Sequence, residues 1–308
     1  MMRAVVLGAA AGGGFPQWNS NALACQRARR LDPAAPPATQ AGLALTADDE
    51  RWVLFNASPD LRAQIERTPS LHPRFGLRSS PISAVVLTGS DVDAIAGLLT
   101  LRERHPFSIL ATRTTLAVLD ANPVFDVLDR AIVARHAVGL DEPVPLRSAD
   151  GDAPLGLTLR LFPVPGKVPL YLERPGATPP IVVGEETTGA AISDGRHTLF
   201  FIPGCAAMTD DLASRLRGAE LVLFDGTLWT DDEMLRAGTG TKTGRRMGHM
   251  SVDGPGGTLA AFRDLDVRRK ILIHINNSNP VLLRDSAERE TARAAGWEVA
   301  FDGMEITL

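Results

Sequence analysis

Ile82-Ser-Ala-Val-Val-Leu-Thr88-Gly-Ser-Asp91-Val-Asp93-Ala-Ile95-Ala-Gly97-Leu98 is an apolar run that breaks abruptly into a small acidic turn. Residues 82–88 have the length and β-branched content of a buried strand, and a glycine follows at once. From about Val92 the spacing changes. Ile95, Leu98, Leu99 and Leu101 recur at near-helical intervals, Arg102, Glu103 and Arg104 form a charged end, and His105-Pro106 stops the helix. A buried strand feeding a helix through a polar turn is a unit of a layered α/β protein.

The pattern recurs along the chain. Leu221-Val-Leu-Phe224 runs into Asp225-Gly226-Thr227, and Lys270-Ile-Leu-Ile-His274 runs into Ile275-Asn276-Asn277-Ser278-Asn279-Pro280. Residues 3–7, 52–57, 108–112, 158–163, 181–183, 198–202, 220–224, 270–275 and 297–301 read as strands. Thr209-Asp210-Asp211 is a helix start, because a threonine hydroxyl caps free amides and acids favour the first turn. Asp285 with Glu288 resembles a capping box for the last helix. Pro33-Ala-Ala-Pro-Pro37 and the stretch from Pro175 to Pro180 read as surface loops. With no repeat and no linker-like segment, one α/β domain over residues 1–308 is the simplest account.

Hydrophobic residues make up 44% and charged residues 22% of the 308, the balance of a chain that folds around its own core. A net charge of −4 argues against a general nucleic-acid binder. Cys25 and Cys205 are too few for a disulfide framework. No apolar run approaches the roughly 18 residues that span a bilayer. Arg3 followed by Ala4-Val-Val-Leu7 and an Ala-rich stretch has some features of a signal peptide, but the glycines after it favour a buried strand entering a loop. A cytoplasmic protein without membrane insertion is expected.

Chemistry concentrates where strands turn polar. Of six histidines, His274 ends a strand and His249 lies in Arg245-Arg246-Met247-Gly248-His249-Met250, a loop before a helix. His72, His105, His136 and His197 neighbour Pro or Arg on expected surfaces. Asp91, Asp93 and Asp225 follow buried strands, where an acid is either a helix cap or a member of a site. Two neutral imidazoles with one or two carboxylates form a ligand set for a divalent transition metal. With open positions the set suits non-haem Fe(II) and oxygen chemistry. The loop Gly8 to Asn19 lacks the Lys-Ser/Thr of a phosphate loop and the spacing of a dinucleotide fingerprint. Its glycines let backbone approach a ligand or another loop. Cys205, after a strand, reads as a buried apolar thiol. No Gly-x-Ser-x-Gly elbow is present.

Six blocks together resemble one family. They are Gly8-Ala-Ala-Ala-Gly-Gly-Gly-Phe-Pro-Gln-Trp-Asn19, Phe55-Asn-Ala-Ser-Pro-Asp60, Phe201-Ile-Pro-Gly-Cys205, Phe224-Asp-Gly-Thr-Leu-Trp229, Met247-Gly-His-Met250 and His274-Ile-Asn-Asn-Ser-Asn-Pro280. They look like the pyrroloquinoline quinone (PQQ) biosynthesis protein B family, over nearly the whole chain. The resemblance implies a metallo-β-lactamase-like four-layer αββα sandwich of two mixed sheets. Hydrolases of that fold carry His-x-His-x-Asp-His after a strand ending Leu-Thr. Anchored on Leu87-Thr88, this chain has Gly89-Ser90-Asp91-Val92-Asp93-Ala94, so the three histidines are absent and only the aspartate persists, as Asp93. The metal-bridging aspartate falls near Pro203-Gly204 and is also absent. A dinuclear zinc hydrolase is therefore disfavoured.

The resemblance implies an iron- and O2-dependent hydroxylation of the tyrosine ring in a Glu–Tyr-derived PQQ precursor. Asp93, His249 and His274 would hold one Fe(II), with O2 as co-substrate. Asp91 or Asp225 would complete the shell or move protons. Lys167, Arg245 and Arg246 would bind substrate carboxylates. Many relatives have a cysteine cluster after Trp-Asn. Here only Cys25 stands in that stretch, so no structural zinc is expected. The alternative is a carrier that takes PQQ or its precursor toward the periplasm. Other proteins of the pathway are candidate partners, and a homo-oligomer stays open.

Overall fold

Trp52, Val53, Leu54 and Phe55 are all buried, yet they face two different cores: Val53 and Phe55 one, Trp52 and Leu54 the other. This is the period-2 alternation of a strand covered on both faces. Ala84 and Val86 against Val85 and Leu87 repeat it on the next strand. The computed structural model describes residues 1–174, 176 and 178–308, so part of the expected loop from Pro175 to Pro180 lies outside the described residues.

The strands are β1 (Arg3–Gly8), β2 (Gly42–Thr46), β3 (Trp52–Phe55), β4 (Ile82–Val86), β5 (Phe107–Ala111), β6 (Val133–Ala137), β7 (Val144–Arg147), β8 (Pro154–Gly166), β9 (Val182–Ser193), β10 (Thr198–Ile202), β11 (Leu221–Asp225), β12 (Arg269–Ile273), β13 (Trp297–Val299) and β14 (Glu305–Thr307). They form two seven-stranded sheets, ordered β14-β1-β2-β3-β4-β5-β6 and β13-β12-β11-β10-β9-β8-β7. Each sheet is mixed. β3 to β6 are parallel, as are β10 to β13, and the remaining pairs are antiparallel. One core joins side chains of both sheets, with the Phe55 and Phe201 rings 6.2 Å apart, edge to face. The other lies between the first sheet and its helices.

The helices are short: α1 (Leu23–Arg29), α2 (Leu61–Arg67), α3 (Val92–Ile95), α4 (Arg113–Ala121), α5 (Asp210–Leu216), α6 (Glu233–Arg236), α7 (Gly244–Met247), α8 (Thr258–Ala261) and α9 (Ala287–Ala294). Thr209 caps α5 as expected, its hydroxyl accepting from the Leu212 amide. The expected capping box at α9 is corrected. Ser286, not Asp285, is the cap and accepts from the Arg289 amide, while Asp285 pairs with Arg27. The helix expected from Val92 is α3 followed by a 3-10 segment, Ala96–Leu101. Gly97 in that segment is pressed on the loop after β3, where a Cβ would lie 2.0 Å from the Ser58 carbonyl oxygen. The strand expected over 52–57 ends at Phe55, since Asn56 adopts φ +61°. The Ala-rich start is β1, paired with β2 and β14. Among the described residues no helix is long and apolar enough to cross a membrane.

Two features place the site. The parallel strands of both sheets end at the same rim, and ligands in open α/β sheets bind beyond the carboxyl ends of strands. The long β8–β9 hairpin then reaches across to the first sheet, where the Thr188 amide and hydroxyl both donate to the Thr88 carbonyl.

Candidate metal centre

A cavity of about 630 Å³ opens at that rim, lined among others by Asp91, Asp93, Lys167, His249, His274 and Asn276. Asp93 comes from α3, just beyond β4 of the first sheet. His274 follows β12 and His249 follows α7, both on the side of the second sheet. The glycine-rich loop closes one wall. Gly12 faces Asp93, and the Gly13 amide donates to Gln40 Oε1 at 3.0 Å. His274 has φ +58°, a left-handed conformation uncommon for a residue with a side chain and concentrated at functional sites.

The two imidazoles are stacked, with centroids 5.2 Å apart. Their tautomers follow from their partners. Asp225 is fully buried and accepts four hydrogen bonds: from the Cys205 amide (2.8 Å), the Thr227 amide (3.0 Å), the Thr227 hydroxyl (2.6 Å) and His249 Nδ1 (2.7 Å). His249 therefore carries its proton on Nδ1. The Thr227 hydroxyl has one proton and gives it to Asp225, so it accepts from His274 Nδ1 at 2.8 Å. In its neutral form each ring thus keeps its lone pair on Nε2. His274 Nε2 stands 2.9 Å from Asp93 Oδ2. A lone pair facing a carboxylate oxygen requires a cation between them, either a proton or a metal ion.

The charges agree with this arrangement. Burial alone would lower the His274 pKa. The hydrogen bond and charge of Asp93, with Asp225 and Asp91 behind it, outweigh that and hold it above the usual histidine range. Burial likewise opposes ionisation of Asp93 and Asp225, but the two imidazoles hold both carboxyls below their usual range. Asp91 is different. It opens onto the cavity, and desolvation by the cavity wall together with the Asp93 carboxylate pushes its carboxyl up. Burial and the Asp225 carboxylate push the Cys205 thiol up to about 12, consistent with an inert apolar thiol.

Ligand atoms of Asp225, His249 and His274 all lie within 4.8 Å of one another. Asp225 nevertheless has its oxygens committed to four donors. It is built to orient imidazole rather than to face the cavity, as outer carboxylates do around metal-binding histidines. Asp93 lines the same cavity as the two histidines and contacts His274 Nε2, but it is not among the residues whose ligand atoms lie that close together. One carboxylate with two imidazoles is a donor set suited to a divalent transition ion.

The expected cationic residues separate. Lys167 lines the cavity, with Nζ 2.8 Å from Glu173 Oε1. Arg246 stands behind it in a two-pronged pair with Glu173, at 2.7 and 3.2 Å. Hydrogen bonds from Arg246 and Lys167 hold the Glu173 carboxyl down at about 2. Arg245 is exposed and does not line the cavity, whereas Lys242 does. Thr227 bonds to His274 and Glu173 pairs with Lys167, contacts that their sequence context alone does not announce. The one available signal is that Thr227 lies two residues beyond Asp225. Cys25 is buried, its thiol 3.5 Å from Asn277 Oδ1.

Comparison with known proteins gives a consistent result. A beta-lactamase superfamily domain matches residues 51–275. The chain is 64% identical to coenzyme PQQ synthesis protein B of Gluconacetobacter diazotrophicus and 54% identical to that of Xanthomonas campestris pv. campestris, with 100% of each chain covered in both pairs. The crystal structure of zinc-bound PqqB from Methylobacterium extorquens superposes with a TM-score of 0.94 at 48% identity, covering 99% of this chain and 100% of that one. A diphosphatase of the PhnP family superposes at 0.69 with 20% identity, covering 100% and 98%, a likeness of fold alone.

Proposed function

The chain belongs to the coenzyme PQQ synthesis protein B family, within the beta-lactamase superfamily, and from that premise we propose that it acts in PQQ biosynthesis as a mononuclear iron hydroxylase of the tyrosine ring in a Glu–Tyr-derived precursor. The observation that carries this reading is the donor set. The imidazoles of His249 and His274 and the Asp93 carboxylate line one cavity, with Nδ1 of the two rings held by Asp225 and Thr227 and Asp93 against His274 Nε2. The histidines needed for a second metal are missing from Gly89–Ala94, which speaks against a two-metal hydrolase. Ferrous iron bound by Asp93, His249 and His274 would supply activation of O2.

The chain's own groups have separate tasks in this proposal. Asp225 and Thr227 hold the imidazoles in the metal-binding tautomer. Asp91, at the cavity, moves protons. Lys167 and Lys242 hold substrate carboxylates, while Arg246 keeps Glu173 in place beside them. Each hydroxylation inserts one oxygen atom of O2 into a ring C–H bond, giving C–OH. The other atom leaves as water, using two protons and two electrons from an external reductant.

The test is a mass spectrum. The protein is loaded with Fe(II) without oxygen, mixed with a Glu–Tyr intermediate and a reductant, and exposed to air. A gain of one or two oxygen atoms is expected, lost without iron and lost in His274→Ala. Stoichiometric binding of PQQ with no change in mass of any tyrosine compound would overturn the hydroxylase and favour a carrier.

A further inference from the structure

Asn276 lines the cavity two residues after His274, and its amide is held by protein on both sides. Its Nδ2 donates to Ser278 Oγ at 2.6 Å, and its Oδ1 accepts from Asn277 Nδ2 at 3.3 Å. The Ser278 hydroxyl in turn donates to Glu233 Oε1 at 2.6 Å. Glu233 belongs to α6, is 8% exposed, and closes the relay with its other oxygen, which accepts from the Trp229 amide at 2.6 Å.

The direction of every bond in this relay is fixed by its end. When ionised, Glu233 only accepts, so Ser278 must donate to it, and Ser278 can then only accept from Asn276. The amide of Asn276 is thereby locked in one of its two flipped orientations. One N–H and one lone pair of that amide remain without a partner among the described residues. A ligand group with an adjacent acceptor and donor, such as a peptide amide or a carboxylic acid, matches that pair. Burying a carboxylate is costly, and the hydrogen bonds that Glu233 accepts offset that cost. Here they reach from α6 to the cavity wall.

We propose that Glu233 is a positioning residue for ligand binding, acting through Ser278 to fix the amide of Asn276 against the ligand. The inference rests on the reading above only for the identity of the ligand. The relay itself is tested without one. In 15N spectra of the full-length protein, the Asn276 side-chain amide signals are identified by their loss in Asn276→Asp. Glu233→Gln and Ser278→Ala are expected to shift these signals, and Ser278→Thr, which keeps the hydroxyl, to retain them. Unmoved signals in Glu233→Gln would overturn the relay.

The consequence for binding is read by calorimetry on zinc-loaded protein, with PQQ and glutamyl-tyrosine as probes. Loss of one positioned hydrogen bond predicts a Kd raised about fivefold to tenfold in Glu233→Gln and in Ser278→Ala, at unchanged zinc content. In an Asn276→Ala background Glu233→Gln should add nothing, since the partner it positions is gone. An equal loss in both backgrounds would show a general structural effect and overturn the proposal. If neither probe binds the wild-type protein, the proposed function fails, and the Asn276 signals alone decide the relay.

Discussion

His274 Nε2 and Asp93 Oδ2 face each other at 2.9 Å across 181 residues of sequence, one attached to each sheet. With His274 Nδ1 committed to Thr227, this contact is stable only with a proton or a metal ion in it. Divalent metal should therefore raise the melting temperature, by several degrees when free metal is about 100-fold above Kd, corresponding to about 2.7 kcal/mol. Asp93→Asn and His274→Ala should abolish that rise and the bound metal, measured by thermal scans and elemental analysis after desalting. A variant at either position that keeps a full equivalent of metal would refute its assignment as a ligand.

Asp225 should behave differently from Asp93. It touches His249 through Nδ1 and Thr227 through two bonds, so its loss disturbs orientation rather than removing a ligand. Asp225→Asn is expected to weaken metal binding by roughly 10–100-fold without abolishing it. Competition against a graded series of chelators resolves the two cases. Complete loss in Asp225→Asn with near-normal binding in Asp93→Asn would exchange the roles.

Glu233 gives a prediction about stability and pH. Burial raises its carboxyl to about 6 from 4.5, against the opposing hydrogen bonds of Ser278, Trp229 and Thr230 and the charge of Arg236. A carboxyl with a raised pKa binds its proton more tightly in the folded state. Its contribution is full below pH 4.5 and is lost as pH rises through about 6. The shift corresponds to about 2 kcal/mol. Urea unfolding of the wild-type protein between pH 4.5 and 7 should show this fall, and Glu233→Gln should lack it. An identical pH slope in both proteins would mean that Glu233 titrates normally.

Gly97→Ala should cost about 1–3 kcal/mol, because a methyl group there meets the Ser58 carbonyl at 2.0 Å and the chain must move. The same movement displaces the segment after α3, so metal affinity should fall with stability. Denaturant midpoints and metal titration of one sample check both effects.

Much of this was legible in the sequence, for identifiable reasons. Strands such as β10, β11 and β12 are continuous apolar runs because both faces are covered, and such runs stand out. β2, β6, β7 and β14 escape that reading. β6 and β7 are edge strands with two exposed residues each, β7 also contains Pro145, β14 is only three residues long, and β2, though fully buried, is a short run with Gly and Ala among its five residues. His249 and His274 stood out because each lies where an apolar strand or a loop turns polar, and the structure places both at the cavity. The role of Arg246 was not, since its charge is taken up by Glu173, 73 residues earlier in the chain. Thr227 is equally silent in sequence, because what a hydroxyl does depends on the rings that fold against it.

The packing between the sheets has a bearing on the cavity that neither sheet shows alone. Phe55 precedes the cavity-lining Asn56, Phe201 lies two residues before the cavity-lining Pro203, and their rings meet between the layers. The candidate donor atoms are thus mounted on two plates, and this aromatic pair is one of the contacts that space them. Shortening the spacer on one side would leave each plate intact while changing the gap between Asp93 and the two imidazoles. Substitutions at Phe55 or Phe201 are then expected to change metal affinity from the hydrophobic core, without touching a donor atom.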